Sequence, residues 1–176
     1  MQGQGAGSDV IEKQETAGTL RIVPLQEEHI EALAALEQEV FSQPWSERAF
    51  RELLTRDYCH YLVAELAEEG DGEEKGAGRP VGMAGMLILS GEGDIDKVMV
   101  APDVRRLGIA DRLLKELLQS GRQQGVTEFT LEVRKSNEAA IHLYEKNGFV
   151  QEGVRPRFYE KPVEDALILW NRQGAM

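Results

Sequence analysis

A short cationic turn joins an apolar run to the start of an amphipathic helical pattern in the second half of the chain. The run and the turn read Val98-Met99-Val100 and Arg105-Arg106-Leu107-Gly108-Ile109-Ala110. Strand, turn and helix in this order predict one unit of an α/β fold. A helix that begins near Gly108 directs unpaired N–H groups and the positive end of its dipole toward the turn, where the two arginines add charge. The turn therefore predicts a diphosphate site, with a solvated basic surface as the alternative.

The turn also matches the pattern Arg-x-x-Gly-x-Ala, which resembles the acetyl-CoA-binding signature of the GNAT family of N-acetyltransferases. Later segments resemble the second half of the GNAT fold, namely Leu131-Glu132-Val133-Arg134, Ser136-Asn137, Leu143-Tyr144 and Gly148-Phe149. Phe41-Ser42-Gln43-Pro44-Trp45-Ser46 and the stretch from Arg155 to Ala166 extend the similarity to the bacterial ribosomal-protein-alanine N-acetyltransferases of the RimI type. The resemblance runs from Thr19 to Trp170 and implies an acetyl-transfer enzyme.

Hydrophobic periodicity predicts strands at 20–23, 61–64, 81–89, 94–100, 129–133, 149–153 and 166–170. Helical spacing follows residue 30, a second helix begins after Ser46 as N-cap, and two more cover 110–124 and 137–146. With the resemblance, this order implies a single-domain α/β GNAT fold, a mixed sheet of about six to seven strands flanked by about four helices. We assign residues 19–172 to the N-acetyltransferase domain. Residues 1–18, rich in Gly, Gln and Glu, are expected to form a disordered tail.

The composition of the chain indicates which classes of binding partner and which cellular compartment to expect. The net charge of −11 and the pI near 4.8 argue against a nucleic-acid groove, since phosphate backbones are bound by clustered Lys and Arg. Much of the acidic excess lies in one run from Glu65 to Glu74, which we interpret as a solubilising surface. The single cysteine, Cys59, and the lack of an apolar stretch long enough to cross a bilayer indicate a cytoplasmic protein that does not bind membranes.

The resemblance assigns two catalytic residues. Glu132, in the family's Leu-Glu-Val-Arg motif, would accept the proton of the attacking amine, and Tyr144 would protonate the departing thiolate. An α-amine has a pKa of about 8, so at neutral pH a nearby carboxylate is needed to take its proton. By position alone, Glu132 would pair with a surface lysine or with Arg134, and Tyr144 would be a half-buried core aromatic.

The resemblance also implies acetyl-CoA as co-substrate and no metal. The backbone of Val98, Met99 and Val100 would hold the pantetheine arm, the turn residues and the adjoining Asp111 would hold the pyrophosphate, and Asn137 would contact the cofactor. Phe41, Trp45, Tyr159 and Glu164 are assigned to peptide recognition, although aromatic residues in a purely structural role would look the same.

The implied function is N-terminal α-amine acetylation, with the N-terminal alanine of a small-subunit ribosomal protein as the expected acceptor and direct transfer within a ternary complex. Two alternatives stay open at this point. An enzyme of the same fold could acetylate lysine side chains or a small amine, and a non-catalytic module could bind acyl-CoA or a partner protein.

Two residues depart from the family pattern. Asp111 stands where the family frequently has Arg, and its negative charge would oppose a diphosphate. Lys97 stands where the ribosomal enzymes often have Asn. A third feature, the adjacent pair Cys59-His60, could suggest a nucleophile and its base, but neighbours in a strand point to opposite faces.

Overall fold

The computed structural model describes residues 18–68 and 78–172. Residues 1–17 of the predicted tail and most of the acidic segment after Glu68 lie outside this part. The first strand begins at Gly18, one residue inside the predicted tail. The strands are β1 Gly18–Pro24, β2 Cys59–Glu68, β3 Arg79–Leu89, β4 Glu92–Val100, β5 Glu128–Arg134, β6 Val150–Glu160 and β7 Val163–Asn171. The α-helices are α1 Ile30–Val40, α2 Glu47–Leu54, α3 Ile109–Gln123 and α4 Glu138–Lys146.

The strands form one seven-stranded mixed sheet in the order β1-β2-β3-β4-β5-β7-β6. Every neighbouring pair is antiparallel except β4 and β5, which are parallel. The predicted α/β class, sheet type and number of helices are therefore confirmed.

Helices cover both faces of the sheet. A Cβ on Gly82 would meet Leu113 of α3 on one face, whereas Lys97, which pairs with Gly85 and lies on the opposite face, contacts Glu37 of α1. Residues of β3 from Val81 to Met86 are all buried, as expected for a strand enclosed on both sides.

Capping residues fix where two of the helices begin. The side chain of Ser46 accepts a hydrogen bond from Ala49 N at 3.3 Å, which confirms it as the N-cap of α2. Asn137 caps α4 in the same way, accepting from Ala140 N at 3.2 Å.

The last two strands are longer than predicted. The sequence indicated 149–153 and 166–170, whereas β6 and β7 span 11 and 9 residues. The reason is that their register shifts twice, between Gln151 and Gly153 and between Arg155 and Tyr159, which breaks the alternation of side chains. β6 is also an edge strand with most of its residues exposed, so it has no apolar face from which its full length could be recognised in the sequence.

No helix among residues 18–68 and 78–172 has both the length and the apolar character required to cross a bilayer.

Candidate active site

A wedge opens in the middle of the sheet where β4 and β5 separate. The two strands pair only from Glu92 to Asp94 on β4 and from Glu128 to Thr130 on β5, although both continue beyond these positions. Past this point the edge of β4 that faces β5, from Val98 to Val100, has no strand beside it in the described part of the chain. We refer to this wedge as the slot. It leaves free backbone N–H and C=O groups that an extended ligand arm can bind.

The cationic turn lies between the end of β4 and the start of α3. Gly108 is the N-cap of α3 with φ of 79°, and Arg106 also has positive φ, at 65°. The first helical bond runs from Arg112 N to Gly108 O at 3.0 Å, and the N–H groups from Gly108 to Asp111 find no protein acceptor in the described part of the chain. A Cβ on Gly108 would meet nothing within 4 Å, so the approach to these donors is open.

These donors suit a diphosphate. They converge at the positive end of α3, beside Arg105 and Arg106, and the αL conformation of Gly108 needs a residue without a side chain. The Arg105 Nε atom donates to Val100 O at 3.3 Å, which ties the turn to the end of β4. Leu107 is half exposed and Ile109 is buried, so the turn is anchored on one side and accessible on the other.

Glu132 lies on β5 two residues past the last paired position. Its Oε1 atom is 3.4 Å from Nη2 of Arg155 on β6, and its side chain is 25% exposed. Its ion-pair partner is therefore neither a lysine nor Arg134, the partners that position alone suggested. The charge of Glu132 also contributes to a raised pKa of Asp94 on β4, after the larger effect of burial, so the carboxylates of the two strands lie near each other.

Tyr144 lies on α4 and packs edge-on against Phe149, with ring centroids 5.8 Å apart. The residue is buried, and burial, with a smaller contribution from Tyr159, raises the pKa of its hydroxyl well above the ordinary value. The hydroxyl makes no protein hydrogen bond within residues 18–68 and 78–172. The ring of Tyr144 is thus part of the core, and its protonated hydroxyl has no hydrogen-bond acceptor among the described residues.

Asn137, seven residues before Tyr144, is occupied as a helix cap. Its Oδ1 atom accepts from Ala140 N, which leaves only the Nδ2 group for a ligand. The residue is exposed at the start of α4.

Two of the residues assigned to peptide recognition enclose a buried lysine. The Nζ atom of Lys97 lies 3.9 Å from the ring centroid of Trp45 and 4.2 Å from that of Phe41, and it forms an ion pair with Glu37 of α1. Trp45 also packs edge-on against Tyr61 at 6.3 Å. The segment between α1 and α2 is therefore held to β4 by a cation that two aromatic rings surround.

The other two peptide-recognition residues gather around Arg134. Its guanidinium stacks 4.2 Å from the Tyr159 ring centroid and lies 3.3 Å from Oε2 of Glu164. Glu164 also accepts a hydrogen bond from Ser136 N at 2.5 Å, and this bond lowers the pKa of its carboxyl. These contacts join the β6–β7 hairpin to the end of β5.

Asp111 turns away from the cationic turn, because its carboxylate is bound by α3 and the end of α4. Lys115 Nζ lies 2.7 Å and Lys146 Nζ 3.4 Å from Oδ2, and Asn147 Nδ2 donates to Oδ1 at 2.9 Å. The Lys115 hydrogen bond, supported by those of Asn147 and Lys146, lowers the pKa of Asp111 to about 2. Only the backbone N–H of Asp111 is left for a phosphate, and its side chain fastens α3 to α4.

We expect Asp111→Asn to reduce the free energy of unfolding at pH 7 by about 1 kcal/mol, a value discounted for the exposure of both lysines. A carboxylate whose pKa is depressed by folding stabilises the protein above its unfolded pKa, and this contribution is lost as the pH falls from about 4 to about 2. Urea unfolding at pH 7 and pH 2.5 checks this, with Asp103→Asn, in an exposed pair with Arg79, as the matched control. An equal deficit at both pH values would contradict it.

The pair Cys59-His60 does not form a nucleophile and base. His60 Nε2 is 2.6 Å from the Ser120 hydroxyl on α3, whereas Cys59 lies on the opposite face of the sheet, which it shares with Tyr61. Burial raises the pKa of the Cys59 thiol, so the thiolate is disfavoured.

Sequence reasoning missed two polar residues of the site. Glu37 is fully buried and pairs with Lys97, and Asp96 is the extra residue of a β-bulge in β4. Both Asp96 carboxylate oxygens lie within hydrogen-bond distance of the Tyr61 hydroxyl, at 2.7 and 2.6 Å. Glu37 could have been found, because it lies seven residues after Ile30 on the apolar stripe of α1.

Residues 30–149 match the family model described as the acetyltransferase (GNAT) family. A putative ribosomal protein bS18-alanine N-acetyltransferase of Bacillus subtilis is 31% identical over 144 residues, covering 81% of this chain and 89% of its own. The N-alpha-acetyltransferase RimI of Mycobacterium tuberculosis is 34% identical over 147 residues, covering 80% and 85%.

The crystal structure of the ribosomal-protein-S18-alanine N-acetyltransferase from Escherichia coli superposes with a TM-score of 0.72 at 28% identity, covering 89% of this chain and 97% of that one. The splayed strands and the open turn therefore occur in a chain whose fold and sequence both match known N-acetyltransferases. This protein belongs to the GNAT family of N-acetyltransferases and is similar to its RimI-type members.

Proposed function

We propose that this protein transfers the acetyl group of acetyl-CoA to the N-terminal α-amine of a protein, with the N-terminal alanine of a small-subunit ribosomal protein as its acceptor. The observation that carries the proposal is the slot between β4 and β5, which has an open turn of free N–H donors at one end and Glu132 on its wall. The RimI-type relatives, whose names specify a ribosomal protein alanine, support the choice of acceptor.

The chain's own residues fit acetyl-CoA. The N–H groups from Gly108 to Asp111, with Arg105 and Arg106, would hold the pyrophosphate, and the free edge of β4 at Val98 to Val100 would bind the pantetheine arm. When bound, acetyl-CoA supplies the thioester that is to be cleaved. N–H donors on this edge of β4 would stabilise negative charge on the thioester oxygen during transfer.

Two side chains move protons. Glu132 takes a proton from the acceptor nitrogen, and its ion pair with Arg155 holds the carboxylate at the slot. Tyr144 donates its hydroxyl proton to the departing thiolate, and the hydroxyl carries this proton at neutral pH, as any tyrosine with a pKa of about 10 or above does. Both substrates are bound together, so the acetyl group passes directly from thioester to amine without a covalent enzyme intermediate.

A panel of acceptors tests the proposal. Purified protein is incubated with labelled acetyl-CoA and peptides that begin with Ala, Ser, Met or Gly, and the acetylated position is mapped by mass spectrometry. A lysine-rich peptide with a blocked N-terminus is the matched control. We expect label on the α-amine of the alanine peptide; label on the lysine peptide alone would favour a lysine acetyltransferase, and no transfer to any amine would favour a non-catalytic module.

We expect Tyr144→Phe to lower kcat by one to two powers of ten, because the ring and its contact with Phe149 are kept and only the hydroxyl is lost. The measurement is thiol release with a thiol-reactive dye, together with the melting temperature. Phe149→Leu, which disturbs the same aromatic contact without removing the hydroxyl, is the control. Full activity of Tyr144→Phe with a lower melting temperature would make Tyr144 a purely structural residue.

A further inference from the structure

A second carboxylate lies on β4 beside the point where the slot opens. The last paired residues of the two strands are Asp94 and Thr130, and two residues further along lie Asp96 on β4 and Glu132 on β5. Both carboxylates therefore lie just past the point where the strands separate, one on each of the two strands that border the slot.

A β-bulge orients Asp96. Ile95 pairs with Met86 and Lys97 pairs with Gly85, so Asp96 has no partner on β3. Bulges change the direction of a side chain and are frequent beside active sites. The hydroxyl of the buried Tyr61 donates to the Asp96 carboxylate, with oxygen–oxygen distances of 2.6 and 2.7 Å, and holds it in this position.

The proposed reaction removes two protons from the acceptor nitrogen. An α-ammonium group carries three N–H bonds and the product amide carries one, so two protons leave the nitrogen. One carboxylate holds one added proton at a time. Glu132 accounts for one of the two protons, and the structure offers Asp96 for the other.

We propose that Asp96, positioned by Tyr61, takes the first proton, from the ammonium form of the acceptor, and that Glu132 takes the second proton as the new bond forms. This assignment rests on the proposed function. The freed nitrogen lone pair forms the N–C bond to the acetyl carbonyl carbon, the C–S bond breaks, and the thiolate sulfur receives the Tyr144 proton. One of the two protons taken up by the carboxylates replaces the Tyr144 proton and the other passes to solvent, so that atoms and charge balance.

The environment of Asp96 supports this role. Desolvation raises its pKa to about 6, against the opposing effects of the Tyr61 hydrogen bond and the Lys97 charge, with Asp94 adding to the rise. Among the described residues that face it, Cys59 and Tyr61 lie on β2, and Lys97 is already paired with Glu37. The group is thus ionised at neutral pH and a stronger base than an ordinary aspartate, only about 2 pK units below an α-ammonium.

The test is the pH profile of kcat/KM for whichever amine the wild type acetylates, measured from pH 5.5 to 9.5 at saturating acetyl-CoA. We expect Asp96→Asn to lower kcat/KM about thirtyfold at pH 7. The deficit should shrink to about threefold at pH 9.5, because the amine then loses its first proton to solvent. The wild-type profile should show an acid limb near pH 6 that Asp96→Asn lacks.

Two further variants separate catalysis from structure. Tyr61→Phe keeps the aromatic ring and the Asp96 carboxylate but removes the hydrogen bond that lowers the pKa of Asp96, so the acid limb should move to higher pH. This variant tests the role of Asp96 even if Asp96→Asn folds poorly. Glu92→Gln removes a charge from the exposed start of the same strand and should leave the profile unchanged.

Several results would overturn the proposal. An Asp96→Asn enzyme within threefold of wild type at pH 7, or an acid limb that Tyr61→Phe does not move, would show that Asp96 takes no proton. Loss of activity in Asp94→Asn with retention in Asp96→Asn would move the role to Asp94. A wild type that acetylates no amine would remove the proposed function and this assignment together, whereas the first three results leave the function intact.

Discussion

Glu132→Gln is expected to lower kcat/KM for the acceptor peptide by two to four powers of ten at pH 7, the usual range for the loss of a general base. The amide keeps the size of the side chain and loses only an ion pair with the exposed Arg155, so the fold and the affinity for acetyl-CoA should change little. Steady-state kinetics with the alanine peptide, and calorimetric titration with acetyl-CoA, measure the two effects separately.

The pH dependence of this deficit distinguishes the two carboxylates. If Glu132 takes the second proton, the deficit persists at pH 9, because that proton leaves the nitrogen whatever the starting charge of the amine. Glu128→Gln, a change of the same type at the paired end of β5, is the matched control and should retain full activity. Near-normal turnover of Glu132→Gln at pH 7 would show that Glu132 is not the base.

The elements that the sequence predicted best are those whose signals are local. Ser46 and the spacing of Phe50 and Leu53 define α2, and Leu113, Leu114, Leu117 and Leu118 mark the inner face of α3. Such signals depend on residues within one or two turns of each other. These local signals do not depend on which distant segments pack against the helix.

The ends of β6 and β7 could not be predicted, because they depend on pairing between residues that are far apart in the sequence. Two register shifts displace the alternation, and the exposed edge strand needs no apolar face. The same limit applies to Asp96. Its orientation follows from a bulge that only the pairing of β4 with β3 reveals.

The site was predictable where a motif fixes the backbone and unpredictable where side chains meet across the fold. The turn around Gly108 has the open donors that its sequence implied. The ion-pair partner of Lys97 and the Lys146 partner of Asp111 were not foreseen, since they come from other helices, α1 and α4. Of these, Glu37 carried a visible signal, a charge on the apolar stripe of a helix, which indicates that a buried partner of opposite charge is needed.

Lys97→Met is expected to destabilise the protein by about 3–5 kcal/mol at pH 7, because it leaves the fully buried carboxylate of Glu37 without its partner. The second Glu37 oxygen already lacks a hydrogen-bond partner among the described residues, so nothing nearby replaces the ammonium. The rings of Trp45 and Phe41 would also lose the cation that they enclose. Urea unfolding at pH 7 measures the loss, and Lys135→Met, at an exposed position, should change stability by less than about 0.5 kcal/mol.

The pH dependence and a double variant identify the cause. Burial raises the pKa of Glu37, and without Lys97 the pKa rises further, so a neutral Glu37 is tolerated at low pH and the deficit of Lys97→Met should be smaller at pH 5 than at pH 8. Lys97→Met combined with Glu37→Leu replaces the pair with apolar side chains of similar volume and should recover most of the lost stability. If the double variant is as unstable as Lys97→Met alone, the loss comes from the packing of the lysine stem between the two rings, and the charge on Glu37 is not its cause.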